Sequence, residues 1–151
     1  MYRGNGSFGK STGEAILKSF PVAAALLIPG LLFVASPSAR QHTVRLTGEV
    51  SNGHFRFSPA RVTVQRGDTL VFMVESGGPH ALGVDPAGVS PPLRAAWNRA
   101  LPRRTGALRG PLIRAGQPYA IVVPREMEPG KYTFFCLAHR AYDMKLELDV
   151  K

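Results

Sequence analysis

Short segments of alternating apolar and polar residues run along most of the chain after residue 40. Alternation of this kind is typical of strands with one buried face. The segments with strand character are residues 43–50, 55–64, 69–75, 118–123, 131–135 and 145–150. Turn sequences rich in Gly, Pro, Asn and Asp separate them, at residues 51–53, 66–68, 77–79 and 128–130. The pattern predicts an all-β domain of about seven or eight short strands.

One segment has helical spacing instead. From Ser90 to Leu101, apolar residues recur every three or four positions, and Trp97 lies on the apolar side. Ser90 suits a helix N-cap, and the two prolines after it suit a first turn. We therefore predict one short helix in a crossover connection of a Greek-key β-sandwich, which brings the ends of distant strands together at one pole.

Residues 1–39 differ from the rest and are predicted to be an export signal. Basic residues precede an apolar run from Phe20 to Ala35, and small residues follow it. The run is shorter than the roughly 20 apolar residues of a membrane-spanning helix, so we expect cleavage, with an uncleaved membrane anchor as the alternative. Residues 40–151 would then form one periplasmic or extracellular domain, in contact with a membrane only if the segment is retained.

The formal charge of the chain is +9, and much of it is concentrated. No acidic residue lies between Asp85 and Glu126. A group of arginines, here called the basic stretch, falls in that interval: Arg94, Arg99, Arg103, Arg104, Arg109 and Arg114. It is either a solvated face or a docking surface for an acidic protein redox partner. A nucleic-acid partner is disfavoured, because export separates the chain from nucleic acid and the arginines are not interleaved with exposed aromatics.

Cys136 is the only cysteine, so it has no partner for an internal disulfide. A lone thiol in an oxidising compartment needs burial or a metal to protect it. Cys136 stands in the spacing C-x2-H-x4-M with His139 and Met144, and His80 follows a turn at the end of a predicted strand. Cys, two His and a weak Met thioether form the donor set of a blue-copper electron-transfer site. Zinc is the competing metal, since it also binds Cys and His, but Met is not a usual zinc ligand.

These residues and their surroundings resemble a known family, the small blue-copper proteins of the plastocyanin and azurin type, or cupredoxins. The matching stretches are residues 55–59, 67–69, 78–80, 129–139 and Met144. The resemblance implies a β-sandwich with one type 1 copper ion, in which His80, Cys136 and His139 are equatorial ligands and Met144 is axial. It also implies a one-electron carrier without catalytic residues, and we expect a monomer that is not an enzyme.

Two positions depart from the family pattern. Many relatives have Asn after the first histidine, where this chain has Ala81, and relatives often have Gly before the methionine, where it has Asp143. We expect these changes to affect the rigidity and reduction potential of the site more than its ligands. Copper storage or delivery is the alternative function. An oxidase or reductase ranks last, because His42 and His54, interpreted as solvated residues, offer no second metal cluster.

Overall fold

Nine strands, one α-helix and one 3-10 helical turn make up residues 38–151, the part of the chain that the computed structural model describes. The predicted export signal, residues 1–39, lies outside the described residues except for its last two. The elements in chain order are β1 (Gln41–Glu49), β2 (His54–Ser58), β3 (Arg61–Val64), β4 (Thr69–Val74), β5 (His80–Val84), α1 (Pro91–Ala100), β6 (Arg109–Ile113), β7 (Tyr119–Val122), β8 (Gly130–Cys136), the 3-10 turn (Arg140–Tyr142) and β9 (Lys145–Val150).

Two sheets form the predicted sandwich. The first has the strand order β2-β1-β4-β7 and the second β3-β9-β8-β5-β6. Most neighbours are antiparallel, while β1 with β4 and β3 with β9 are parallel. Apolar residues from both sheets and from α1 form one buried cluster. The alternation of apolar and polar residues in the sequence corresponds to an alternation of buried and exposed side chains in the structure. In β3, for example, Val62 and Val64 are buried and alternate with exposed residues. The all-β sandwich is therefore confirmed.

Two strands have no alternating pattern, which is why the structure has nine strands instead of seven or eight. β5 is buried along its whole length, so polar positions do not interrupt it. β6 contains Gly110 and Pro111, which weaken any strand signal. The predicted helix is present, with Leu93, Ala96 and Trp97 buried. It joins β5 to β6, which are antiparallel neighbours in the same sheet, so its prediction as part of a crossover was wrong, because helical spacing does not reveal which strands a helix connects. The Ser90 side chain makes no capping hydrogen bond.

Strand pairing in the second sheet determines which residues meet at one pole. Leu82 of β5 lies opposite Cys136 of β8, and Phe135 of β8 lies opposite Lys145 of β9. The start of β5, the end of β8 and the start of β9 therefore lie at the same end of the sheet. Within residues 38–151, no helix has the length and hydropathy that a membrane span requires.

Candidate metal centre

Three of the four predicted ligands meet at this pole. His80 begins β5, Cys136 ends β8, and His139 lies in the loop that follows. The Cys136 Sγ atom is 3.6 Å from His80 Nδ1 and 3.4 Å from His139 Nδ1, and the two nitrogens are 3.2 Å apart. The three donor atoms thus form a nearly equilateral triangle, here called the donor triangle.

The donor triangle has the size that a single metal ion requires. A point equidistant from its corners lies about 2.0 Å from each, and metal–imidazole and metal–thiolate bonds in zinc sites are about 2.0–2.3 Å long. Two imidazole nitrogens and one cysteine sulfur, all within 3.6 Å of one another, are the trigonal donor atoms of a blue-copper site. The residues present therefore fit a copper ion.

His80 is held in the tautomer that a metal ligand needs. Its Nε2 atom is 2.9 Å from the Ser76 carbonyl oxygen, and a carbonyl only accepts, so Nε2 carries the proton and donates it. The lone pair is then on Nδ1, which points into the donor triangle. His80 is completely buried, and this burial lowers the pKa of its imidazole, although the bond to Ser76 acts in the opposite direction. The ring is therefore neutral at pH 7, as metal binding requires.

His139 lies closer to the surface and is held by an aromatic ring. The Phe55 ring stacks on the His139 ring with centroids 3.8 Å apart and an angle of 14° between the planes. Tyr142, about half exposed, also packs against Phe55, with ring centroids 4.7 Å apart, and its ring centroid is 6.4 Å from that of His139. Burial and the neighbouring His80 ring lower the pKa of His139. Stacking therefore fixes the orientation of a ring that solvent reaches.

The backbone of Ala81 joins the two ligand segments. Its N–H lies 3.5 Å from the Cys136 sulfur, and its carbonyl oxygen accepts a 2.7 Å hydrogen bond from the Leu137 N–H. A side-chain Asn is therefore not needed to connect the segments. The Asp143 departure also has a local explanation, because φ at this residue is +55°, in the left-handed region that glycine adopts most easily and Asp tolerates.

Met144 is buried and lies next to Cys136 along the backbone. Its carbonyl oxygen accepts a 3.0 Å hydrogen bond from the Cys136 N–H, and only 1% of the residue is exposed. The assignment of its thioether as axial ligand stays a prediction. The triangle's other neighbours, Ser76 and Phe55, were not predicted. A backbone carbonyl leaves no sequence signal, and Phe55 was placed from the sequence in an alternating strand and in a stretch that resembles the family, without a contact to a ligand.

The two remaining histidines are not part of this cluster. His54 is exposed on β2, as predicted. His42 differs from the prediction, because its Nε2 atom is 2.8 Å from a carboxylate oxygen of buried Asp68. Burial alone would raise the pKa of Asp68, but hydrogen bonds from the backbone amides of Arg40 and Gln65 and from His42 lower it below its usual value. The His42–Asp68 pair therefore connects β1 to the turn between β3 and β4.

The fold and the donor triangle define the class of small β-sandwich metalloproteins with one Cys-His-His metal site. Comparison with known proteins identifies the family. Residues 44–151 match the sequence profile of the copper binding proteins of the plastocyanin/azurin family, so the chain belongs to that family.

Individual relatives agree with this assignment. Plastocyanin from Nostoc punctiforme is 29% identical over 126 residues, which cover 83% of this chain and 86% of that protein. The chloroplastic minor isoform of plastocyanin from Arabidopsis thaliana is 29% identical over 142 residues, 91% of this chain and 73% of that protein. The solved structure of oxidized plastocyanin from Dryopteris crassirhizoma superimposes with a TM-score of 0.57 at 28% identity, covering 73% of this chain and 100% of the fern protein.

Proposed function

We propose that this protein is a type 1 copper protein that carries single electrons between redox partners, with copper bound by His80, Cys136, His139 and Met144. The observation that carries the proposal is the donor triangle, which lies in a chain of the plastocyanin/azurin family. A bound copper ion would supply a reversible one-electron Cu(II)/Cu(I) couple. No bond of a substrate needs to be broken, so we assign no catalytic residue.

The protein residues keep the geometry of the site constant. Burial and the Ser76 carbonyl hold His80, the Phe55 ring holds His139, and the Ala81 backbone connects the segments that carry Cys136. A site that cannot relax between two preferred geometries needs little rearrangement when an electron arrives or leaves. Such a rigid, water-poor site suits electron transfer better than release of the metal.

His139 is the proposed exit for the electron. His80 and Cys136 are fully buried, whereas His139 is partly exposed and leads to Phe55 and the exposed ring of Tyr142. A partner protein that touches this side comes nearest to the metal ligands. We further propose that residues 1–39 direct export, that the domain of residues 40–151 works as a monomer, and that its partners present acidic surfaces to the basic stretch.

The visible and electron paramagnetic resonance spectra of the Cu(II)-loaded protein test the function. A type 1 site gives intense blue absorption with narrow copper hyperfine splitting, and Cys136→Ser abolishes both because the thiolate is lost. A protein that binds copper without colour would contradict electron transfer and favour storage or delivery of the ion.

The axial role of Met144 has a matched control. Met127 is also a buried methionine, but it lies just before β8, at the end of that strand opposite to Cys136. Met144→Leu should change the spectrum and the reduction potential, while Met127→Leu should change only stability. Equal spectra for the two variants would remove Met144 from the ligand set.

A further inference from the structure

A groove of about 270 Å³ lies beside the metal-binding loop. Three arginines from three different elements line it: Arg94 of α1, Arg109 of β6 and Arg140 of the 3-10 turn. Its floor is formed by residues that are almost fully buried: Val84, Leu108 and Phe135. The groove therefore combines concentrated positive charge with an apolar floor.

None of these three arginines forms an ion pair within residues 38–151. Arg99 of the same basic stretch differs, since it pairs with Glu126 at 3.1 Å. Asp85 is the one carboxylate that lines the groove, and one of its oxygens accepts a 2.9 Å hydrogen bond from the Ala87 N–H. Three guanidinium groups and one carboxylate leave the groove with a formal charge of +2.

The arginines are carried by ordered parts of the fold. The Leu108 N–H donates a 2.7 Å hydrogen bond to Asn98 Oδ1, and the Leu108 carbonyl accepts a 2.9 Å bond from the Val84 N–H. These bonds hold the backbone just before Arg109. The Arg140 guanidinium stacks over the Phe135 ring, 4.5 Å from its centroid, and stacking leaves the N–H groups at the edge of the guanidinium plane available to a ligand.

We propose that this groove is a binding site for a compact dianion, with Arg94, Arg109 and Arg140 as its ligand-binding residues. A ligand of charge −2 would neutralise the groove, and the planar fork of a guanidinium matches two oxygens of a phosphoryl or carboxylate group. The space corresponds to several water molecules, which suits a small molecule, whereas a partner helix is about 10–12 Å wide. The apolar floor lowers the local dielectric constant and strengthens these contacts.

The groove and the metal loop share residues. Phe135 precedes Cys136 in the chain, and Arg140 follows His139. A dianion bound there adds negative charge near the donor triangle and favours the more positive oxidation state of a bound copper ion. The reduction potential of the copper should therefore fall when the groove is filled. This effect on the potential rests on the proposed function, whereas binding of the anion itself is independent of it.

Calorimetric titration of the full chain, freed of metal by a chelator, tests the site. Inorganic phosphate and sodium succinate serve as separate probes at constant ionic strength, and the tighter of the two identifies phosphoryl or carboxylate chemistry. We expect one saturable site. Arg109→Gln and Arg94→Gln should each weaken binding about tenfold, the effect of losing one charge-assisted hydrogen bond.

Arg66→Gln is the matched control, because it removes the same charge at the turn after β3, outside the groove. It should leave the dissociation constant unchanged. Binding that is absent for both probes, or that weakens equally in Arg66→Gln and Arg109→Gln, would overturn the proposal and reduce the effect to overall charge. Since the titration uses metal-free protein, failure of the blue-copper spectrum would leave its result unaffected.

Discussion

Acidification of the metal-free protein should destabilise it through His80. This imidazole is completely buried and its pKa is lowered in the folded state, while the unfolded chain has the ordinary value near 6.5. The unfolded chain therefore takes up the proton that the folded chain refuses. Stability is at its full value above about pH 6.5 and is lost as the pH falls below it.

This loss has an upper limit. If folded His80 stays neutral down to pH 5, the unfolded chain gains about 2 kcal/mol relative to the folded one between pH 7 and pH 5, and any protonation of the folded ring makes the loss smaller. His139 adds to the loss, because burial and the nearby His80 ring, with the two Nδ1 atoms 3.2 Å apart, lower the pKa of His139 in the folded state. The carboxyl groups titrate mainly below this window.

Urea unfolding at pH 7, 6 and 5, followed by the fluorescence of the single, buried Trp97, measures this effect in the presence of a chelator. In His80→Gln, the loss between pH 7 and pH 5 should be smaller than in the parent protein, by up to about 2 kcal/mol. His54→Gln is the control, because His54 is exposed, and it should behave like the parent protein. If His80→Gln retains the full pH dependence, the explanation by a buried neutral imidazole is refuted.

Three further outcomes are expected from other parts of the structure. Gly48→Ala places a methyl group into the Phe55 ring, so it should lower stability by about 1–3 kcal/mol in urea unfolding and alter the copper spectrum through His139. Asp68→Asn should cost about 1–3 kcal/mol at neutral pH and reduce the stability loss that the parent protein shows as the pH falls below about 4, measured by acid unfolding. Burial raises the pKa of the Tyr119 phenol to about 12, and its titration step should be missing from the ultraviolet pH titration of Tyr119→Phe. The same variant should lose about 1 kcal/mol of folding stability, because the hydrogen bond to the Pro102 carbonyl is removed.

The parts of the fold that sequence reasoning predicted are those with a local signature. Alternation identified strands with one exposed face, and helical spacing identified α1 within one residue at each end. β5 carries no such signature, because both of its faces are buried, and its existence depends on β6 and β8 beside it. Tertiary context therefore determines the strands that surround the site.

In the candidate site, too, sequence reasoning identified the residues with a local signature and missed those that depend on tertiary context. Cys136 and His139 were recognisable because residue type and spacing carry their chemistry, and His80 because it follows a turn. The Ser76 carbonyl and the Ala81 amide act through the backbone, so any residue at position 76 and any residue except proline at position 81 could do the same. Asp143 shows the limit of motif comparison. Its residue type departs from the glycine that relatives often have, but its backbone has the left-handed conformation that a glycine adopts most easily.

The separation of the donors along the chain has a consequence for assembly. Cys136 Sγ and His80 Nδ1 lie 3.6 Å apart although 56 positions separate the two residues. The pairing of β5 with β8 is a long-range contact, which a folding chain forms slowly. A nascent chain therefore has no complete donor triangle, which exists only after β5 and β8 have paired. The blue colour of the copper-loaded protein should therefore report that this pairing has formed, and it can serve as a signal for that step in a refolding experiment.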